Sequence, residues 1–353
     1  MTVLSSLPHV AYKVAEGLVE SPLCPPSPSL RRVVRPPVLD MRQDNSSLRT
    51  LLRAALVTTT RSSNSNLCPM VCLSQHGLEK QCSSLVSLAV KKSAQQQLLS
   101  GMGVEKKTMI PSQMAHDLDD EDGPVKEAAT ELRVKLTALV YRILDILFDT
   151  NVEEKLLTST GERLNGRMCL REYSATPTAD VNNNSSSSSS NKDSINDHVI
   201  RLGAHIDHTL LTVLWSNGPG LEVFSPSVGN NNKCWIAEHV LQLGMPTISH
   251  PLSHTKNNDG DDDSCPPEPT EEDWAIVDIP WIDGALLLTI GAEWLTHPLF
   301  AGLEENEEEG GGGINCAVLH RVSMPINTNK TRYSLPFLVS IDKSLTTNNN
   351  ESI

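Results

Sequence analysis

The sequence predicts a mixed α/β protein, with a helical and mixed N-terminal part followed by a C-terminal all-β barrel or sandwich. Three observations carry this. Apolar residues recur at helical spacing in 47–57, 78–99 and 124–148, all in the first half of the chain. Beyond residue 165 the pattern changes to short strand-like runs. Helices first and strands second is the order expected of such an architecture.

The elements follow in order. Residues 1–36, rich in Ser, Pro and Arg, read as an irregular arm. Pro37-Val38-Leu39-Asp40 is a short strand-like run, and residues 67–73 read as a buried strand leading into a turn at Gln75-His76-Gly77. Residues 116–123 (HDLDDEDG) are expected to form an acidic loop. Pro124, just behind that acid, marks the start of a helix to Phe148, with Leu132, Leu136, Leu139, Ile143 and Leu147 as its apolar stripe. Arg167-Met168-Cys169-Leu170 leads into Tyr173, and further strands are expected at 199–206, 210–215, 221–224, 274–279, 285–290, 316–322 and 332–340. Three inserts interrupt the strands, near 182–191 (Asn and Ser only), 244–273 and 302–314, and residues 343–353 form a polar tail. The divisions expected are thus 1–36, 37–150, 165–342 and 343–353.

Composition narrows the function. The 353 residues carry a net charge of −14, which argues against a nucleic-acid partner, because phosphate binding needs a basic face. No run of eighteen apolar residues exists, so no membrane helix is predicted. Eight cysteines without a CxxC pair read as reduced thiols. A cytoplasmic monomer is expected. The arm has some character of a transit peptide, but Glu16 and Glu20 count against that. His250, His254 and His297, near inserts or turns, read as surface histidines.

The chemistry lies in the C-terminal half. In an extended His205-Ile206-Asp207 the first and third side chains point to the same side, so an imidazole and a carboxylate can converge on one metal. His320, in the strand-like run Ala317-Val318-Leu319-His320-Arg321-Val322, supplies a third ligand. Two histidines and one carboxylate on one face leave three coordination positions open, as in non-haem Fe(II) oxygenases. Arg332 and Ser334 also share one strand face. A guanidinium grips a carboxylate through two parallel hydrogen bonds, and a hydroxyl adds another. The pair would receive the far carboxylate of a dicarboxylate anchored to the metal at its other end.

With these motifs the chain resembles the isopenicillin N synthase-like branch of the 2-oxoglutarate/Fe(II) dioxygenases. The likeness runs through Gly203-Ala204-His205-Ile206-Asp207, Leu210 to Leu214, Gly220-Leu221-Glu222-Val223, Trp274 to Val277, Pro280, Gly284-Ala285, Ile290-Gly291, Leu319-His320-Arg321-Val322 and Arg332-Tyr333-Ser334. Pro37 to Asp40 and His76-Gly77 resemble the family's degenerate N-terminal α/β region. The resemblance implies a double-stranded β-helix (jelly-roll) core with inserts. It implies Fe2+ held by His205, Asp207 and His320, and 2-oxoglutarate as co-substrate held by Arg332, Ser334 and Tyr173. Dioxygen would then drive hydroxylation or desaturation of a small organic molecule, with release of succinate and CO2. Two other readings fit the same residues: an iron oxidase of this family that does not use 2-oxoglutarate, and a non-catalytic jelly-roll binding or scaffold protein. Two departures stand out. The position two before Tyr173, often Asn in plant members, is Arg171, and Gly291 is followed by Ala292 where an acidic residue is usual.

Overall fold

The computed structural model describes residues 32–56, 69–100, 114–118, 123–173, 198–225, 271–279, 284–301, 317–325 and 331–342. The expected inserts at 182–191 and 302–314, most of 244–273, most of the arm and the tail from 343 lie outside these.

The expected helices form where the apolar spacing put them: α1 (Asn45–Leu56), α2 (Glu79–Ser100) and α3 (Pro124–Phe148). A short α4 (Val152–Ser159) follows, capped by the Asn151 side chain, which accepts from the Glu154 N–H at 3.0 Å. The strands are β1 (Arg32–Val34), β2 (Val38–Asp40), β3 (Met70–Ser74), β4 (Met114–Asp117), β5 (Arg163–Tyr173) and β6 (His198–His205). They continue with β7 (Leu211–Ser216), β8 (Leu221–Phe224), β9 (Trp274–Val277), β10 (Leu286–Ile290), β11 (His320–Pro325) and β12 (Arg332–Asp342). Two further short helices, α5 (Ala292–Thr296) and α6 (Pro298–Ala301), follow β10.

Among the described residues, twelve strands form two mixed sheets, one ordered β1-β9-β8-β11-β6 and one ordered β2-β3-β10-β7-β12-β5-β4. Among the described strands only β1–β9 and β2–β3 pair in parallel. The larger sheet is two-faced because its strands alternate. Val71 and Leu73 of β3, Leu211 and Val213 of β7, and Phe337 and Val339 of β12 are buried in one apolar cluster. In that cluster they meet Leu48 and Leu52 of α1 and Leu136 and Val140 of α3. Each such buried side chain contributes roughly 1.5–3 kcal/mol. The opposite face looks towards the smaller sheet: Met70, Cys72 and Leu287 pack with Leu221, Val223 and Val322 in a second cluster. The site residues expected from the sequence line this inter-sheet space.

Three expectations are corrected. The supposed acidic loop at 116–123 begins as a strand, because Met114–Asp117 pairs antiparallel with Glu172–Cys169 on the open edge of β5. The supposed arm ends in a strand: Arg32–Val34 pairs with Ala275–Val277. In both, backbone pairing to an available edge outweighs weak side-chain patterning. His297 is buried rather than superficial. Its Nε2 lies 3.0 Å from Glu162 Oε2, so a carboxylate at the start of β5 meets the turn between α5 and α6.

Candidate metal centre

His320 and His205 face each other as cross-strand partners, His320 opening β11 and His205 closing β6. Their ring centroids are 4.3 Å apart. Asp207 is reached differently from the sequence expectation. The strand stops at His205, and Ile206 and Asp207 lie in the segment that leaves it. That segment is pinned by α5, since the Ala292 N–H donates to the Asp207 carbonyl at 2.8 Å and the Glu293 N–H to that of Thr209 at 3.2 Å. Gly291 allows this approach, because a Cβ there would sit 2.0 Å from the Thr209 carbonyl oxygen. Ala292, directly after that glycine, contributes its backbone N–H to this contact.

The three side chains converge. Asp207 Oδ1 is 3.7 Å from His205 Nε2 and 3.9 Å from His320 Nε2, and among the described residues this trio is the one group spaced to hold a metal ion. A metal with bonds of about 2.1 Å sets neighbouring ligand atoms about 3 Å apart, so small torsional shifts would close the triad on an ion. The outer contacts fix the donor atoms. His205 Nδ1 lies 2.8 Å from the Gly203 carbonyl and His320 Nδ1 3.0 Å from that of Val318. A carbonyl only accepts, so Nδ1 carries the proton and Nε2 presents its lone pair. Thr212 Oγ1 donates to Asp207 Oδ2 at 2.6 Å, leaving Oδ1 to face the histidines.

Electrostatics agree with metal binding. Burial, with the adjacent His320, pulls the His205 pKa down to about 4, so its imidazole is neutral at physiological pH. For Asp207 burial works upward, but His320, the Thr212 hydroxyl and His205 outweigh it and hold the carboxyl below its usual range.

The triad opens onto a cavity whose lining includes Tyr173, Arg332 and Ser334. Arg332, 4% exposed, is the first residue of β12 and pairs with Tyr173, the last of β5. Its guanidinium carbon lies 5.0 Å from the Tyr173 ring centroid, and Nε donates to the Gly218 carbonyl at 3.1 Å. Gly220, at φ 121°, gives the β7–β8 turn a conformation that other residues rarely adopt, and a Cβ there would lie 3.6 Å from Arg332 Cδ. Among the described residues, Arg332 Nη1 is buried without a hydrogen-bond partner. Burial pulls the Arg332 pKa below its ordinary value, with the Tyr173 phenol opposing, yet a guanidinium stays charged in proteins. An orphaned, buried cationic donor is strongly unfavourable unless an anion meets it. These residues therefore fit a metal at one end of the cavity and a carboxylate at the other.

The cavity holds every site residue expected from the sequence, namely His205, Asp207, His320, Arg332, Ser334 and Tyr173. Thr212 was not anticipated. Its signal was present, since one hydroxyl inside the apolar run Leu210 to Leu214 needs a buried partner. Arg171, noted only as a departure, also lines the cavity.

No family profile matches the sequence, and no curated protein does. Among solved structures the chain is similar to JOX2 in complex with 2OG, Fe and JA, at 14% identity and a TM-score of 0.47, over 90% of this chain and 78% of that one. It is also similar to a full-length Neurospora crassa protein in complex with alpha-KG, at 14% identity and a TM-score of 0.47, over 87% and 84%. A third similar structure is the 2-oxoglutarate complex of AtDAO1, a dioxygenase for auxin oxidation from Arabidopsis thaliana, at 13% identity and a TM-score of 0.45, over 86% and 91%.

Proposed function

We propose that this chain is an Fe(II)- and 2-oxoglutarate-dependent oxygenase, its two facing sheets forming a double-stranded β-helix, that hydroxylates or desaturates a small organic substrate. One observation carries the reading: two imidazole Nε2 atoms and a carboxylate oxygen converge in the same cavity as a buried guanidinium with an unpartnered donor. When bound, iron and 2-oxoglutarate with dioxygen supply a two-electron oxidation. One oxygen atom ends in succinate as CO2 leaves, and for hydroxylation the other ends in the product.

The chain's residues have separable tasks. His205, Asp207 and His320 hold the metal on one side and leave the other open. Thr212 orients the Asp207 carboxylate, and the Gly203 and Val318 carbonyls orient the rings. Arg332 receives the distal carboxylate of 2-oxoglutarate, Ser334 offers a hydroxyl beside it, and Tyr173 backs the guanidinium. Leu214, Leu221 and Val318 give the cavity apolar walls around these polar groups.

Arg332 favours this reading over an iron oxidase that does without 2-oxoglutarate, because such an enzyme has no dicarboxylate to meet it. The test is anaerobic addition of Fe(II) and 2-oxoglutarate, read by the weak visible charge-transfer band of the chelate. The band is expected in the wild type, absent in His205→Ala and weakened in Arg332→Ala. Iron binding without the band would point to the oxidase, and no iron binding to a scaffold. Metabolite profiling for a gain of one oxygen would then identify the substrate.

A further inference from the structure

The cavity contains a second cation that the proposed function leaves unused. Arg171 lies two residues before Tyr173 on β5 and so points to the same side of the sheet. It is the cross-strand partner of Ser334, and it lines the cavity together with the triad. It is only partly buried, whereas Arg332 is almost fully enclosed. Among the described residues, no hydrogen bond or ion pair holds its side chain. Asp207 is the one acidic side chain among the described residues that line the space.

Charge balance then discriminates. A divalent metal with Asp207, Arg332 and Arg171 carries three net positive charges, the histidines being neutral. The doubly negative 2-oxoglutarate cancels two and leaves one. An uncompensated charge in a partly dry cavity is unfavourable, and a guanidinium is shaped for a planar carboxylate. We propose that Arg171 binds the carboxylate of the substrate to be oxidised, so that this site selects a small monocarboxylic acid and holds it beside the metal. This rests on the oxygenase reading above. Arg171 is a specificity-determining residue, distinct from Arg332, which serves the co-substrate.

The experiment uses the Fe(II)-loaded protein under argon. The charge-transfer band is first titrated with 2-oxoglutarate in the wild type, Arg171→Gln, Arg171→Lys and Arg332→Gln. Aliphatic and aryl monocarboxylates, each paired with its methyl ester, are then added to the complex with 2-oxoglutarate, and the change in the band gives a dissociation constant. At least one acid is expected to perturb the wild-type band where its ester does not. Arg171→Gln should weaken that acid by about tenfold or more, the effect of losing a charged hydrogen-bond partner. Arg171→Lys should retain most of the acid preference. The affinity of Arg171→Gln for 2-oxoglutarate should stay within about threefold of wild type, which also shows that the variant is folded. Three results would overturn the proposal: esters binding as well as acids, no acid perturbing the wild-type band, or Arg171→Gln losing 2-oxoglutarate as Arg332→Gln does. In the last case Arg171 belongs to the co-substrate. A wild type that shows no band before any acid is added would sink the oxygenase reading and this inference with it, an outcome distinct from the other three.

Discussion

The two faces of the larger sheet are built from the same strands and do opposite work. Along β12, Leu335, Phe337, Val339 and Ile341 turn towards the helices, while Arg332, Ser334, Pro336 and Leu338 line the cavity. Along β7, Leu211 and Val213 take the first side, Thr212 and Leu214 the second. The helix side is a continuous apolar cluster in which every removed methylene is felt. The cavity side tolerates a buried guanidinium with an unmet donor and two closely opposed imidazoles, an arrangement that opposes folding until ligands arrive. One face stores stability and the other spends some of it on chemistry.

The comparison can be broken most directly at the triad. Asp207→Ala should abolish the Fe(II)–2-oxoglutarate band, a loss larger than the roughly 10- to 100-fold that an outer-shell partner is worth. Thermal melting of the metal-free protein should be little changed or slightly raised. On the opposite face of the same sheet, Phe337→Ala should lower unfolding free energy by about 3–5 kcal/mol, measured by urea denaturation. Once folded, that variant should still give the band, and its loss at temperatures where the protein remains folded would mean that the two faces are coupled. Arg332→Gln should weaken 2-oxoglutarate by about 1.5–3 kcal/mol while leaving Fe(II) affinity nearly unchanged. Thr212→Val, which keeps the shape but removes the hydroxyl that holds Asp207 Oδ2, should weaken metal binding by about tenfold.

A pH dependence tests the same face in the metal-free protein. His205 has a folded pKa of about 4 against an ordinary 6.5, depressed by burial and by His320. Between those values the unfolded chain binds the proton and the folded one does not, so stability of the metal-free protein declines as pH falls through that window. Melting curves of His205→Ala across the same range should be flatter. Equal slopes in both proteins would place the acid sensitivity elsewhere.

Much of this was legible before any coordinates. The apolar stripe of α3 carries its own periodicity, so that helix and its buried face followed directly, with Leu132, Leu136, Leu139, Ile143 and Leu147 all buried. RxS was legible for the same reason, since Arg332 and Ser334 lie two apart on β12, whereas HxD brought its pair together although Asp207 lies beyond the end of β6. The failures share a cause. β1 and β4 are three and four residues long with no strong pattern, and exist because an edge was open to pair with. His297 looked superficial because no local signal reports that Glu162, far back in the chain, would bury beside it.

The sequence by itself determined which residues could ligate a metal and grip a dicarboxylate, because residue type and a period of two are local properties. It also determined which face of α3 is apolar. Only the tertiary structure decided that His320 closes on His205 and Asp207, that Thr212 fixes the carboxylate, and that Arg171 shares their cavity. Those facts depend on strand register and on the packing of two sheets, which contacts between residues distant in the chain set together and no short stretch encodes alone.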